Sequence, residues 1–512
     1  ASRRMFLRHA GVMSTLGATG APLALNLSAL GTAAAQTAAD YKAIVCIFLF
    51  GGNDSINMVL PTDAASFTNY STLRNQAPDS IALLAPGTAI NAGAAAGSPG
   101  RLGGVLPIAP TNAQGRTFAL HPAMGALQTM FNTDKRLAIL PNVGPLVLPT
   151  SKTQYGQSTH PKPANLFSHN DQQNTWQAFR PEGATVGWGG RMGDLLASMN
   201  QRSVFTSITA GGNAVWLSGQ DVRQYQVTSN GAIRLGTNAS GQVYGSTAVG
   251  AAMERIVQTT RGGHVLEADL SAVAARSMQA ESLLRNALKP ASDPLFGTAP
   301  ASGAYNANND PKLRYTDPNN PGTTIANNLA QQLQIVARMI DASGNASIGA
   351  KRQVFFVSMG GFDTHDVQNG NHAQLMARLS HALRYFDDTL GAMGARDRVT
   401  TFTASDFGRT FTSNGDGTDH GWGAHHFVTG GAVKGGDLYG SFPVYGAKNA
   451  GNNNFDSSPD QLGNGSLLPT TSVDQLGATL GKWFGLSDTQ LLDVFPNLAN
   501  FSTRDLGFMN PA

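Results

Sequence analysis

Residues 44–50, Ile-Val-Cys-Ile-Phe-Leu-Phe, run without a polar side chain and stop abruptly at Gly51-Gly52-Asn53-Asp54. A continuous apolar run of this length reads as a strand buried on both faces, the pattern of a parallel sheet covered by helices. Glycines directly after it let the chain bend sharply. They leave an amide and a carboxylate where open parallel sheets bind ligands, beyond the carboxyl ends of the strands.

The rest of the chain supplies such a sheet. Residues 42–50, 136–141, 203–209, 353–358 and 398–404 read as strands, and 325–342 and 372–393 as amphipathic helices. In the second helix Leu375, Leu379, Ala382, Leu383, Phe386 and Leu390 share one face. Helix–strand–helix–strand order predicts an α/β fold with a mostly parallel central sheet and helices on both faces. Three stretches, near 85–116, 288–324 and 446–468, are rich in Gly, Pro, Asn or Ala and read as loop insertions. With no internal repeat and no linker composition, residues 36–512 are expected to form a single domain.

The first residues read as an address. Ser2-Arg3-Arg4-Met5-Phe6-Leu7-Arg8 matches the twin-arginine export pattern, and Ala10 to Leu30 follows without a charge. Gly, Ser and Thr soften that stretch, so it is a poor membrane span, and Ala33-Ala34-Ala35 offers a cleavage site after Ala35. Residues 1–35 are thus expected to be a signal peptide handed to the twin-arginine translocase, with periplasmic or secreted delivery and no stable membrane span afterwards. Because that route carries folded proteins, it favours a metal loaded before export. The formal net charge of +3 (35 basic against 32 acidic residues) equals the charge of Arg3, Arg4 and Arg8 alone. No basic patch remains to attract nucleic acid. Cys46 is the single cysteine, so no intrachain disulfide can form, and its place in the apolar run suits a small buried hydrophobe.

Acids recur at the strand ends. Asp54 follows the first strand, Gly360-Gly361-Phe362-Asp363-Thr364-His365 the fourth, and Ser405-Asp406-Phe407-Gly408-Arg409 the fifth. Singly, each acid suits a helix cap or an Asx turn. Three carboxylates on one rim repel unless a cation or proton lies between them, and a divalent metal resolves the repulsion. His420, His425 and His426 crowd into Asp419-His420-Gly421-Trp422-Gly423-Ala424-His425-His426. Imidazoles beside carboxylates suit zinc first, with manganese, iron or calcium as oxygen donors increase. His121, His160, His264 and His381 have no acid nearby and read as ordinary structural residues. Ser168, in Asn165-Leu166-Phe167-Ser168-His169-Asn170-Asp171-Gln172-Gln173, reads equally as a helix N-cap and as a nucleophile, with His169 and Gln172 lining the same pocket. Arg409 is placed to grip a substrate anion or to bridge the pocket rim.

The segments FLFGGNDSINMVLP, FSHNDQQNTW, GGFDTH, SDFGRT and DHGWGAHHFVTGGAVKGG, closing with KWFGLSDTQLLDVFPNLANF, resemble over nearly the whole chain a bacterial family known as domain of unknown function 1501. That family is similar to the alkaline phosphatase and sulfatase superfamily. The resemblance implies Asp54 as first metal ligand, Ser168 as nucleophile with His169 beside it, and Asp363 with His365 as a ligand pair. It further implies Asp406 as the second strand-end acid and His420 or His425 as the late ligand. The chain departs from the superfamily pattern where Phe407, not histidine, follows Asp406, which argues against a two-zinc site. Formylglycine chemistry is excluded, because neither Cys46-Ile47-Phe48-Leu49 nor Ser168-His169-Asn170-Asp171 fits the C/S-x-P-x-R motif it needs. What the resemblance implies is metal-assisted hydrolysis of a phosphate or sulfate ester, carried by a small molecule or a polysaccharide. The alternative is a non-catalytic cell-surface or polysaccharide-binding protein on the same fold.

Overall fold

The structure, a computed structural model, describes residues 41–510 apart from 230, 234–236, 239 and 260–264. The expected export signal lies outside the described residues, as does His264. Lys42–Ala512 form one compact unit. Among the described residues, no helix is long and apolar enough to cross a membrane.

Among the described residues nine strands make the central sheet: β1 (Lys42–Leu49), β2 (Leu137–Gly144), β3 (Ser207–Thr209), β4 (Tyr225–Thr228), β5 (Gly231–Ala232), β6 (Arg352–Met359), β7 (Val399–Ser405), β10 (Ala424–Thr429) and β11 (Thr471–Ser472). Between β7 and β10 a short antiparallel pair, β8 (Arg409–Ser413) and β9 (Thr418–His420), stands outside the sheet. The order across the sheet is β11-β2-β10-β7-β1-β6-β3-β4-β5. β1 lies at the heart, parallel to β6 and to β7, with Leu49 opposite both Met359 and Ser405. β3 continues the parallel arrangement beside β6. β10 runs antiparallel between β7 and β2.

Every residue of β1 is buried, as a strand covered on both faces requires. Ile44, Cys46 and Phe48 point to one face. There they join the core formed with α2 (His169–Ala178), α3 (Trp188–Leu196) and the late helix α6 (Val473–Phe484), through Trp176, Trp188, Met192, Leu476 and Leu480. Trp176 and Trp188 both stack on Phe402 of β7. Burying one such side chain contributes about 1.5–3 kcal/mol. Cys46 is a free thiol in this core, and burial pushes its pKa up. α4 (Asn328–Ala342) and α5 (Gln368–Ala392) pack on each other, and α4 also packs on β6.

Several boundaries differ from the sequence reading. The strand expected at 203–209 is Ser207–Thr209, preceded by a 3-10 turn over Ser203–Phe205. The helix expected from 325 starts at Asn328, because Asn327 caps it by accepting from the Leu329 and Ala330 amides, and Thr324–Ala326 pairs with Arg314–Thr316 instead. The helix expected from 372 begins at Gln368. The strand expected over 136–141 runs from Leu137 through Pro141 and Asn142 to Gly144, and its pairing with β10 slips in register between Ala424 and His426. β10 itself, which begins in the histidine-rich stretch and carries His425 and His426, is a fully buried strand.

Candidate metal centre

Because β1, β6 and β7 are parallel and end in register, the segments after them emerge on one edge of the sheet. Gly51 turns there with φ 116°, and a Cβ on it would lie 2.4 Å from the Asp363 amide nitrogen. Only glycine lets the loop carrying Asp363 and His365 lie against the end of β1. α2 begins beside them, so that His169 in its first turn faces the same edge.

Three imidazoles converge there on one carboxylate. His365 Nε2 lies 3.1 Å and His420 Nε2 3.4 Å from Asp363 Oδ1, and His169 Nε2 lies 3.5 Å from Asp363 Oδ2. His365 Nε2 and His420 Nε2 are 3.0 Å apart. One donor atom each from His169, Asp363 and His420 all fall within 4.8 Å of one another. Donors about 2.0–2.1 Å from a tetrahedral zinc stand roughly 3.3 Å apart, close to the distances from Asp363 to each ring. The group whose donors all lie near one another is His169, Asp363 and His420, with His365 reached through Asp363 and His420. His169 Nε2 is buried yet makes no hydrogen bond, an orphan nitrogen aimed at the shared carboxylate. The side chains of His169 and His420 are 28% and 24% exposed, and those of Asp363 and His365 46% and 44%, so the centre opens to solvent.

Each ring is fixed from behind through its Nδ1. His169 Nδ1 meets Asp406 Oδ2 at 2.7 Å, His420 Nδ1 meets the Phe167 carbonyl at 2.7 Å, and His365 Nδ1 meets Asp419 Oδ1 at 3.3 Å. Oxygen acceptors on all three Nδ1 atoms put the proton there and leave each Nε2 lone pair facing Asp363, the arrangement typical of metal-ligating histidines. Asp406 is held in turn by Gln173 Nε2 at 2.8 Å and the Gly51 amide at 3.2 Å. Phe167 adopts φ 74°, unusual for a bulky side chain, and this turn presents its carbonyl to His420. Phe407, directly after Asp406, packs its ring on both His169 and His420.

The charges are set by the same neighbours. The hydrogen bond to Asp406 raises the His169 pKa, against a smaller lowering by burial. Burial lowers that of His420. Burial alone would raise the Asp363 carboxyl, but the hydrogen bond and charge of Arg409, with His169 and His365, outweigh it and hold Asp363 below its ordinary value.

The structure therefore brings together Asp363, His365, His169 and His420, with Asp406 one imidazole behind. It does not bring Asp54 or His425 to them. Asp54 is fully buried, its two oxygens held by Arg74 Nη1 and Nη2 at 2.6 and 2.9 Å, and Gln368 Nε2 adds a third bond at 2.6 Å. His425 is buried in β10, where Nδ1 accepts from the Asn142 amide at 3.0 Å and Nε2 faces the Tyr445 hydroxyl at 3.2 Å. Burial lowers His425 to about 3, so its ring is neutral. Arg409 is wholly occupied within the fold: Nη1 binds Asp363 Oδ1 at 2.6 Å and the Gly51 carbonyl at 3.2 Å, while Nη2 and Nε bind the Thr418 carbonyl and hydroxyl. Its guanidinium orients Asp363 instead of projecting to a substrate. Ser168 is the N-cap of α2, but its hydroxyl donates to Asp171 Oδ2 at 2.9 Å. The sequence reading missed Arg74, Gln368, Asp419 and the Phe167 carbonyl. Of these only Asp419, next to His420, carried a local signal.

The solved structures this chain is similar to include Ps i-CgsB in complex with k-i-k-neocarrahexaose, at 7% identity and a TM-score of 0.34, covering 91% of this chain and 77% of that one. They also include a Bacteroides thetaiotaomicron protein (BT33494S-sulf) from work on the metabolism of multiple glycosaminoglycans, at 9% identity and a TM-score of 0.31, covering 88% and 74%. Likeness at these scores carries no argument about this chain. No curated protein matches it. Residues 41–495 match the family described as protein of unknown function (DUF1501), and the chain belongs to that family.

Proposed function

We propose that this protein is an exported, metal-dependent hydrolase of phosphate or sulfate esters, borne by a small molecule or a polysaccharide. The observation that carries the proposal is the convergence of three Nδ1-anchored imidazoles on the Asp363 carboxylate. His169, His365 and His420 would hold the ion through Nε2, and Asp363 through its carboxylate. The nitrogen-rich donor set favours zinc over manganese or calcium. A zinc ion bound there supplies Lewis-acid chemistry, polarising the ester and lowering the pKa of a nucleophile beside it. The chain's own residues would do the positioning. Arg409 fixes the Asp363 carboxylate, Asp406 fixes the His169 ring, and Asp171 orients the Ser168 hydroxyl. Hydrogen bonds from Asn165, the Glu182 amide and Ser168 hold the Asp171 carboxyl below its ordinary value. It is therefore a weak base, which orients the Ser168 oxygen without removing its proton.

One observation favours a second reading, a non-catalytic polysaccharide-binding protein built around the same ion. The arginine expected to grip the substrate anion, Arg409, has all its nitrogens engaged internally.

A single preparation tests both. The protein should be recovered from the periplasmic or secreted fraction with about one zinc per chain, and should hydrolyse members of a panel of phosphate and sulfate esters that includes sulfated oligosaccharides. His420→Ala should lose both zinc and activity. Ser168→Ala should keep the zinc, and its rate decides whether the serine attacks. Zinc-loaded protein inert across the whole panel would support the binding reading, and recovery from the cytoplasm would contradict export.

A further inference from the structure

The geometry points to Gln368 as a positioning residue for the metal centre, an inference that rests on the reading of that centre given above. Gln368 is the first residue of α5 and is buried, and both ends of its carboxamide are used. Nε2 donates to Asp54 Oδ2 at 2.6 Å, and Oε1 accepts from the Thr364 hydroxyl at 3.1 Å and the Thr418 hydroxyl at 2.8 Å. A carboxylate only accepts, so the amide nitrogen must face Asp54 and the carbonyl oxygen must face the two threonines.

Thr364 lies between Asp363 and His365, and Thr418 lies two residues before His420. One carbonyl oxygen therefore joins the two segments that carry three of the four donors. The backbone seals the same junction: the Thr418 amide donates to the Thr364 carbonyl at 3.1 Å, and a Cβ on Gly417 would stand 2.3 Å from the His365 carbonyl oxygen. From the Thr418 hydroxyl the network passes to Arg409 Nε at 3.3 Å, and Arg409 Nη1 holds Asp363. At the other end Asp54 is locked by Arg74, which also donates to the Thr410 and Phe411 carbonyls. An unbroken run of hydrogen bonds, buried as far as Arg409, thus connects the Asp54–Arg74 pair, through Gln368, Thr418 and Arg409, to the half-exposed carboxylate at the centre. Metal donors must be held to within about 0.5 Å of productive geometry. Removing the groups that hold them costs roughly 10–100-fold in metal affinity.

The test uses full-length protein and two measurements, the zinc dissociation constant from chelator competition and the visible spectrum of the cobalt(II)-loaded form. Gln368→Met removes the carboxamide at similar volume, and Thr418→Val removes one hydroxyl while keeping the shape, so the second variant serves if the first fails to fold. Both should weaken zinc binding by about 10–100-fold and alter the cobalt spectrum. Thr418→Ser, which keeps the hydroxyl, should restore wild-type values for both. Wild-type affinity and spectrum in Thr418→Val, with only a lower melting temperature, would overturn the positioning role and leave the metal centre standing. Wild-type protein that takes up neither zinc nor cobalt would overturn the centre and this inference together.

Discussion

Asp54 and Asp363 each follow a strand of the same sheet and each meets an arginine, but the two pairs face different surroundings. The Asp54–Arg74 pair is closed on all sides, whereas Asp363 is 46% exposed above a buried Arg409. Burial would raise the Asp54 carboxyl, yet the charge and hydrogen bonds of Arg74 outweigh it and leave Asp54 below its ordinary value. Removing one partner of such a pair strands the other charge away from water, which costs about 3–5 kcal/mol. Asp54→Ala should therefore lose about that much stability in urea unfolding, while protein that remains folded still takes up zinc, more weakly because Gln368 has lost its acceptor. Near wild-type stability with zinc lost would instead make Asp54 a ligand. The sequence displayed the acids and their matching offsets but not their fates. Those depend on Arg74, on α1 (Ala64–Arg74), whose reach to Asp54 follows from tertiary packing and leaves no periodic trace. The same holds for Arg409, legible as a cation at the site but not as one whose nitrogens are already taken.

At the scale of elements, buried strands rich in Ile, Val and Phe were legible because a fully covered strand can carry few other residues. β10 was not read as a strand, since its two histidines resemble ligands more than core. In place, His426 packs edge-on to Trp176 and His425 lies against Phe442, and burial keeps both rings neutral. The start of α5 was also misplaced, and the residue before it explains why. Val367 sits at φ 47°, ψ 36°, a left-handed conformation a β-branched side chain adopts at a cost of about 1–2 kcal/mol, and it is 62% exposed. Its amide donates to Asp416 Oδ2 at 3.2 Å, which ties this turn to the hairpin of β8 and β9. Asparagine tolerates the conformation and little burial is lost. Val367→Asn should raise the denaturant midpoint by an amount equivalent to about 1 kcal/mol. A lowered midpoint would show that the Val367 methyls make a contact worth more than the strain.

Across the whole molecule, the parallel sheet was readable from the alternation of helix and strand. The candidate metal centre was readable only in part: Asp406 and Asp419, behind His169 and His365, stand in conspicuous motifs, but the Phe167 carbonyl behind His420 is a backbone group that any loop could supply. The core also carries a pH signature far from that centre. Asp474, near the start of α6, is buried, and burial pushes its carboxyl up to about 7 from 3.8, against the opposing bonds from Asn497. The folded state then holds a proton that the unfolded chain has released. This contribution to stability is complete below about pH 4 and is lost as pH rises towards 7. Asp474→Asn keeps an acceptor for the Asn497 amide, now 2.9 Å from Asp474 Oδ1, and should flatten the melting temperature over that window. An unchanged pH profile would mean Asp474 is ionised in the fold. The central claim concerns the ion itself, and X-ray absorption at the zinc edge of the loaded protein tests it most directly. The account predicts one zinc per chain bound by three imidazole nitrogens and one carboxylate oxygen at about 2.0–2.2 Å. Failure to take up zinc, or a shell of oxygens without imidazole, would contradict it.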